Sequence, residues 1–243
     1  MKRSFILLVL ITSLATSLKS QDNKLSCIPL IGENAPQFTA ESTLGTINFP
    51  GDFGKKWKIL FSHPADFTPV CSSELLEIAQ MQEEFERLNT KLVVISTDGL
   101  DSHLEWTRSL ESVKYKNNPT PRITFPLVSD KTLEVSRLYG MIHPNTSATK
   151  DVRGVFIIDP DNKIRAIFFY PFDAGRNINE IRRTLVALQT TAKFNVLTPA
   201  NWQPGNDVLI HSPKTMAESE KLTDRKDPDL YSVIWYMWFR KMK

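Results

Sequence analysis

The amino-acid sequence predicts an α/β fold with a central mixed sheet flanked by helices. Short apolar segments of strand length alternate with segments whose apolar residues recur at helical spacing. Two apolar segments then flank the turn residues 159–162, which is the signal of an antiparallel hairpin. One more long helix follows, and the chain becomes rich in turn residues after it. We therefore expect a main α/β domain that ends at residue 194 and a small appended region, residues 195–243.

Each predicted element rests on apolar spacing and on the residues that begin or end it. The expected strands are a short segment at 45–50, buried runs at 57–62, 91–97 and 125–130, and the hairpin strands "GVFIIDP" and "KIRAIFFY". The expected helices open at Thr68 and Pro69 and run to about Asn89, and then occupy 102–110, 131–140 with Gly140 as the closing residue, and 178–194.

The first twenty residues have the layout of a secretory signal. Lys2 and Arg3 precede an apolar run, Phe5 to Leu14, and small residues follow it. This run is too short for a comfortable membrane span. We expect a signal peptide at 1–20, a leader or linker at 21–30, and an exported protein, either periplasmic or secreted. Anchoring of the chain to a membrane by an uncleaved N-terminus is the alternative.

The composition argues against a nucleic-acid partner, and the cysteine count argues against a disulfide framework. The net charge of +3 is small, and the Lys and Arg residues form no dense run, so no nucleic-acid partner is expected. The chain has two cysteines, Cys27 and Cys71. They form neither a disulfide framework nor a C-x-x-C pair, although a structural bridge between them stays open.

Cys71 stands at a predicted helix start. In "HPADFTPVC", Pro69 occupies the first helical position, where its missing N–H group would have been unpaired anyway, and Thr68 occupies the N-cap. Cys71 is then the third helical residue, where free backbone N–H groups and the helix dipole favour an anion. We therefore expect a reactive thiolate, toward which the Thr68 hydroxyl can turn. A small apolar residue buried in the first turn is the alternative.

Three reactions suit such a thiolate: attack on a disulfide, on a carbonyl or on a peroxide. Disulfide exchange usually employs a second cysteine close by, and Ser72 and Ser73 stand there instead. A cysteine hydrolase needs a histidine base, so His63, His103 and His143 leave that option open. His63 is more simply a structural loop residue, because a thiolate that already exists needs no base.

At Pro64, Thr68 and Cys71 the chain resembles the peroxidatic motif of peroxiredoxins, P-x-x-x-T-x-x-C. The longer "LFSHPADFTPVCSSEL" resembles the one-cysteine (type 6) members of that family. Further matches follow in the same order: "GENAPQF", "FPLVSD", "YGMIHP", "VRGVFIIDP", "YPFDAGRN" and "LQTTAKFNVLTPANWQPGNDV". This resemblance implies a thioredoxin-like fold over 31–194 and a C-terminal one-cysteine peroxiredoxin region over 195–243.

The resemblance also implies a reaction and a set of site residues. Hydrogen peroxide and organic hydroperoxides would be reduced through a cysteine sulfenic acid. Arg153 matches the family's active-site arginine, and with Thr68 it would stabilise the charge that moves onto the peroxide oxygens. Pro64 would shield the thiolate from water. Arg176 matches a second arginine near the pocket, assigned here to substrate binding, and Glu74 would hold an arginine in place.

Partners follow from the same resemblance. An external thiol would resolve the sulfenic acid, whether a thioredoxin-like protein, glutathione or another thiol. No cofactor and no metal are implied, and a homodimer or a ring of dimers is expected. The C-terminal tail has no cysteine, so Cys27 is the only internal thiol that could replace the external one. A thiol–disulfide oxidoreductase on the same fold and a non-catalytic holdase or structural oligomer are the alternatives.

Overall fold

The computed structural model describes residues 28–242, in which helices pack on a seven-stranded sheet. The strands are β1 (Phe38–Ser42), β2 (Gly45–Phe49), β3 (Trp57–Ser62), β4 (Thr90–Ser96), β5 (Lys114–Tyr115), β6 (Asn118–Pro119), β7 (Leu127–Ser129), β8 (Arg153–Ile158), β9 (Ile164–Tyr170), β10 (Val208–Leu209), β11 (Leu230–Ile234) and β12 (Met237–Arg240). The helices are α1 (Pro69–Arg87), α2 (Leu100–Glu111), α3 (Glu134–Leu138), α4 (Ile178–Phe194) and α5 (Met216–Asp224).

The order of strands in the main sheet places two distant segments at the same edge. The order is β2-β1-β7-β4-β3-β8-β9, with β3, β4 and β7 parallel and the remaining pairs antiparallel. Because β8 runs opposite to β3, its first residue, Arg153, lies near the end of β3. The chain leaves β3 at that end and enters α1. The start of α1 and the start of β8 therefore meet at the carboxyl edge of the parallel strands, where α/β folds commonly place their sites.

Alternating side chains of the central strands build a core on each face of the sheet. Ile59 and Phe61 of β3 point to the face covered by α1, α2 and α4. Leu60, between them, points to the opposite face, where Tyr139 after α3 and Phe49 of β2 cover it. Each of these side chains is almost fully buried. Full burial of one such side chain contributes roughly 1.5–3 kcal/mol, so the two cores fix the sheet between its helices.

The predicted α/β class, the central mixed sheet and the hairpin of β8 and β9 are confirmed, as are the four predicted helices. The third helix is shorter than expected, and Gly140 follows it with a φ of +64°, a backbone conformation that suits glycine. Three features were not predicted: strand β1, the small hairpin of β5 and β6, and the C-terminal sheet of β10, β12 and β11 with α5.

Two predictions concern residues outside the described range. The signal peptide at 1–20 lies outside it, and so does most of the leader at 21–30, including Cys27. Among residues 28–242, no helix combines the length and the apolar character needed to cross a bilayer.

Candidate active site

Helix α1 begins where the sequence places its start, and Cys71 is its third residue. Thr68 is the N-cap, with an extended backbone at φ −104° and ψ 147°. Its hydroxyl does not cap the helix: it donates to the Ala65 carbonyl at 2.9 Å. The hydroxyl was expected to turn toward the sulfur of Cys71, but it instead forms this hydrogen bond within the loop that precedes α1. The proton of Thr68 is committed, and only its oxygen lone pairs remain available.

Cys71 carries a free thiol that is 1% exposed. Nη1 of Arg153 lies 3.3 Å from its sulfur. Arg153 is itself buried. It is the first residue of β8, and the antiparallel pairing of β8 with β3 brings it to this edge of the sheet. A buried thiol and a buried guanidinium are thus in direct contact.

The guanidinium of Arg153 is held in place from two sides. Its Nε and Nη2 donate to the Phe172 carbonyl at 3.2 and 2.6 Å, and its Nη1 donates to Oε2 of Glu74 at 2.9 Å. Glu74 lies three residues after Cys71 on α1. Helix α1 therefore carries both the reactive sulfur and the carboxylate that orients the arginine beside it.

Arg176 is the second arginine of the cluster, and its hydrogen bonds go to protein atoms. Its Nε and Nη2 donate to the two oxygens of Glu74 at 3.0 and 2.7 Å, and its Nη1 donates to the carbonyls of Ser62 and Gly154, each at 2.8 Å. Four of its five N–H donors are used in this way. This arrangement makes Arg176 a support for Glu74, whereas the sequence assigned it to substrate binding.

The charges of this cluster determine the ionisation of Glu74. Burial alone would raise its pKa, but Arg176 and then Arg153 lower the pKa below its ordinary value. The carboxylate is therefore ionised at neutral pH. Two guanidiniums face one carboxylate, which leaves one positive charge that an anionic Cys71 would balance.

His63 lies at the end of β3, beside Trp106 with ring centroids 5.0 Å apart, and is almost fully buried. Neither ring nitrogen forms a hydrogen bond within the described part of the chain. Burial lowers the pKa of His63 to about 4, so the ring is neutral at physiological pH. It lines a small cavity of about 10 Å³ together with Cys71. The loop histidine predicted from sequence is therefore a neutral neighbour of the thiol.

Asp66 and His103 form a buried pair next to His63 that the sequence did not predict as a unit. Oδ2 of Asp66 lies 2.8 Å from Nδ1 of His103, and Nε2 of His103 lies 3.1 Å from the Val128 carbonyl. Asp66 lies inside the recognised motif, but His103 is 37 residues away on α2. Only the tertiary fold brings them together, so no sequence pattern could have joined them.

The loop between β3 and α1 is compact and locally strained. Pro64 is buried, in keeping with its expected shielding role, while Phe67 is exposed and has a φ of +54°. This left-handed conformation is costly for a bulky residue, and such strain is typical of functional sites.

Larger cavities of the described residues, of about 310 and 720 Å³, are lined by other residues and do not include Cys71.

The sequence matches two family models. Residues 31–167 match the AhpC/TSA family, and residues 187–223 match the C-terminal domain of 1-Cys peroxiredoxin. The chain is 47% identical over 215 residues to a peroxiredoxin of Methanosarcina mazei, which covers 88% of this chain and 98% of that protein. It is 37% identical over 228 residues to a 1-Cys peroxiredoxin of Dictyostelium discoideum, covering 93% and 92%.

Similarity extends to solved structures. The yeast mitochondrial 1-Cys peroxiredoxin, solved to explain how its thiol is resolved through glutathione and thioredoxin systems, superposes with a TM-score of 0.76 at 38% identity. The match covers 88% of this chain and all of the yeast chain. Relatives of this identity and coverage favour peroxide chemistry over the disulfide-exchange and non-catalytic alternatives. The chain therefore belongs to the AhpC/TSA family of peroxiredoxins, in its 1-Cys type, and is a thiol-dependent peroxidase.

Proposed function

We propose that Cys71 reduces hydrogen peroxide and organic hydroperoxides by direct nucleophilic attack. The thiolate sulfur bonds to the terminal peroxide oxygen while the O–O bond breaks. The sulfur is oxidised to sulfenic acid, and the peroxide is reduced. The leaving hydroxide or alkoxide takes up a proton to become water or alcohol.

The contact between Arg153 and Cys71 carries this proposal. A guanidinium 3.3 Å from the sulfur is positioned to stabilise negative charge as it moves from sulfur onto the peroxide oxygens. It is preorganised, because Glu74 and the Phe172 carbonyl fix its plane before substrate arrives. Little reorganisation is needed at the moment of reaction, which is where fixed donors gain their effect.

The neighbouring residues have distinct roles in this proposal. Thr68 accepts a hydrogen bond from the peroxide O–H through its free lone pairs, since its own proton is bonded to Ala65. Pro64 limits water access to the thiolate. Arg176 acts through Glu74 as a positioning residue, and His63 provides an uncharged wall beside the sulfur.

We place resolution of the sulfenic acid with an external thiol. One thiol condenses with the sulfenic acid, forming a mixed disulfide and water, and a second thiol releases Cys71 and becomes part of a new disulfide. Cys71 is the one cysteine among residues 28–242. The yeast relative, whose thiol is resolved through glutathione and thioredoxin systems, supports both reductants as candidates here.

Peroxide consumption with glutathione or thioredoxin, measured on Cys71→Ser and Cys27→Ser variants, tests this proposal. We expect Cys71→Ser to abolish turnover and Cys27→Ser to preserve it. Dimedone should label Cys71 after one equivalent of peroxide. If a stoichiometric Cys27–Cys71 disulfide forms and turns over with the reductant, the enzyme uses two cysteines and the external-thiol step is wrong.

A dimer is supported by the free edge of strand β9. This seven-residue strand ends the main sheet, with half-buried apolar side chains such as Phe168 and Phe169. An exposed edge of this length is a template for pairing with a second strand. Pairing of two β9 strands would produce a homodimer, on which a ring of dimers could be built. Sedimentation should give twice the chain mass, and amide exchange in β9 should accelerate on dilution; a monomer at micromolar concentration contradicts the dimer.

Export is proposed from the leader pattern alone. N-terminal sequencing of the protein from its native cells should find a start near residue 21, in a periplasmic or secreted fraction. An intact N-terminus in a membrane fraction would favour the anchored alternative.

We propose residues 31–194 as the peroxidase domain and 195–243 as the C-terminal region; proteolysis that leaves 31–194 intact would support this division.

A further inference from the structure

His63, Asp66 and His103 form a compact group of ligating side chains next to the active site. One ligating atom from each residue lies within 4.8 Å of the others, and all three residues are buried. Nε2 of His63 lies 3.6 Å from Oδ1 of Asp66, and Nδ1 of His103 lies 2.8 Å from Oδ2. Two imidazoles and one carboxylate form a donor set that is typical of zinc and related divalent cations.

His63 is the member of this group whose hydrogen-bonding capacity is unused. Its ring is 2% exposed, and neither nitrogen has a partner among residues 28–242. Nε2 points toward Asp66 at a distance too long for a hydrogen bond. Buried polar side chains are normally paired, so an unpartnered imidazole aimed at a carboxylate indicates a missing bonding partner.

The second layer around the group resembles that of a metal site. Nε2 of His103 faces the Val128 carbonyl at 3.1 Å, which leaves Nδ1 as the lone-pair donor toward the centre. Ser102 donates to Oδ2 of Asp66 at 2.7 Å. Histidine ligands of metals usually donate their other nitrogen to a carbonyl, and ligating carboxylates are themselves hydrogen-bonded. Both supports are present here.

The separations are close to those that a tetrahedral ion requires. Bonds of about 2.0–2.1 Å from zinc to nitrogen or oxygen place neighbouring ligand atoms about 3.3 Å apart. Oδ1 of Asp66 lies 3.6 Å from Nε2 of His63 and 3.1 Å from Nδ1 of His103, on either side of that value. The two imidazole nitrogens lie within 4.8 Å of each other and would move closer when an ion binds.

We propose that His63, Asp66 and His103 bind a divalent cation of the zinc type, beside the small cavity that His63 and the reactive Cys71 both line. Three protein ligands leave a fourth position for water, as in open zinc sites. His63 and Cys71 line the same small cavity. A metal ion bound to His63 would therefore fix one wall of the cavity that contains the thiol. The loop that carries Pro64 to Thr68 would be tied more firmly to α2.

Titration with Co²⁺ and Zn²⁺ tests this site, with Cys71→Ser as the background so that thiolate coordination cannot contribute. We expect one equivalent of Co²⁺ to give visible absorption of a tetrahedral nitrogen–oxygen site, and one equivalent of Zn²⁺ to displace it and to raise the melting temperature. His63→Gln in the same background should reduce affinity at least tenfold. This variant breaks no hydrogen bond, so it should fold. His211→Gln, which alters an exposed histidine elsewhere, is the matched control.

Two outcomes would overturn the proposal. One is the absence of stoichiometric binding to the Cys71→Ser protein. The other is equal loss of binding in His63→Gln and His211→Gln, which would place the metal elsewhere. Asp66→Asn should also lose binding, while its circular dichroism reports whether the fold persists. If the cation binds only when Cys71 is present, the thiol is the ligand and the three-residue site is wrong.

Discussion

Arg153 and Cys71 define the chemistry at the scale of single residues. The guanidinium contacts the sulfur at 3.3 Å and is fixed by acceptors that hold it in one orientation. Thr68 has a different role from the one its N-cap position suggests, because its hydroxyl bonds the Ala65 carbonyl. The excess positive charge of the two arginines over Glu74 thus lies beside the sulfur of Cys71. The Thr68 hydroxyl, whose proton is already donated, can act toward a substrate only as a hydrogen-bond acceptor.

Replacing Arg153 by Met should slow peroxide reduction about 100-fold or more, which is the scale of losing one preorganised donor to a developing oxyanion. Stopped-flow measurement of Cys71 oxidation checks this directly. Arg165→Met is the matched control, because Arg165 pairs with Asp159 in the turn between β8 and β9, away from the thiol. A rate close to that of the unaltered enzyme would remove Arg153 from the catalytic step.

Asp151 is a second residue whose burial has measurable consequences. Burial raises its pKa to about 8, and Asp130 acts in the same direction. Neither carboxyl oxygen has a well-formed hydrogen bond in the described structure, although nearby Ser136 offsets part of the rise in pKa. Between pH 3.8 and 8 the folded state therefore holds a proton that the unfolded state has lost, and stability falls as pH rises through this window.

Asp151→Asn removes this titration. We expect the variant to gain stability relative to the unaltered protein as pH rises from 4 to 8, with the largest gain near pH 8. Urea unfolding at a series of pH values measures the difference. Asp224→Asn, at an exposed carboxylate, should leave the pH dependence as it is. A constant difference between the Asp151→Asn and unaltered proteins at every pH would show that Asp151 does not titrate as described.

At the scale of elements, Glu74 connects helix α1 to strand β8 and to the loop before α4. Its two oxygens receive hydrogen bonds from Arg153 and Arg176, whose positions in the chain are 79 and 102 residues away. The reactive turn of α1 is thereby fixed to the sheet edge by charge pairs that are almost fully buried.

Glu74→Gln should destabilise the protein by about 3–5 kcal/mol, because removing one partner leaves buried charges uncompensated. Peroxide reduction should fall as well, since Arg153 loses one of the two groups that orient it. Glu83→Gln is the control on the same helix: its pair with Arg87 is exposed, and such pairs contribute about 0.3–0.5 kcal/mol. Equal destabilisation of the two variants would contradict the role assigned to Glu74.

Elements with strong local signals were predictable from sequence. Strand β3 is a continuous apolar run, and α1 has a proline at its first turn and apolar residues at helical spacing. Strand β1, "FTAES", has a weak apolar pattern and forms because β2 and β7 pair with it. The C-terminal strands were not predicted, because the aromatic residues near Trp238 give no period that distinguishes strand from coil.

The residues of the candidate site also differ in whether the sequence could predict them. Cys71, Thr68 and Pro64 are close in sequence, so a motif identifies them. The matched family pattern supplied Arg153, but the bonding of Arg176 to Glu74 and the pair of Asp66 with His103 depend on contacts across the fold. Periodicity and spacing carry no information about which distant side chains will share a buried space, so these could not be predicted.

At the scale of the whole molecule, the mixed sheet gathers the reactive groups at one edge and leaves the C-terminal sheet apart from them. Trp202 and Val208 pack in a separate cluster with Ala187 of α4. The buried ionisable groups His63, Glu74, Arg153 and Arg176, by contrast, surround Cys71, whereas Lys58 and Asp159 lie at the opposite ends of β3 and β8. Because His63 and Glu74 belong to that cluster, part of the pH dependence of global stability should report on the active site.

His63 and Glu74 should make the protein sensitive to acid. Burial lowers the pKa of His63 from 6.5 to about 4, so the unfolded state binds a proton in this range that the folded state excludes. Stability is lost as pH falls from 6.5 to 4, by about 3 kcal/mol for this one group if each pH unit contributes about 1.4 kcal/mol. The lowered pKa of Glu74 acts in the same direction below its ordinary value of 4.5, as its bonds to the arginines fail.

The contribution of His63 to the free energy of unfolding, measured in urea as the difference between the unaltered protein and His63→Gln, should therefore decline steadily from pH 7 to pH 4, and circular dichroism should follow each transition. His63→Gln carries no titrating ring, so its free energy of unfolding should rise relative to that of the unaltered protein as pH falls from 6.5 to 4.5. His211→Gln retains the buried imidazole and should follow the original curve. If the His63→Gln and His211→Gln curves coincide, the acid sensitivity arises outside the active site, and His63 is not the neutral buried base that its surroundings indicate.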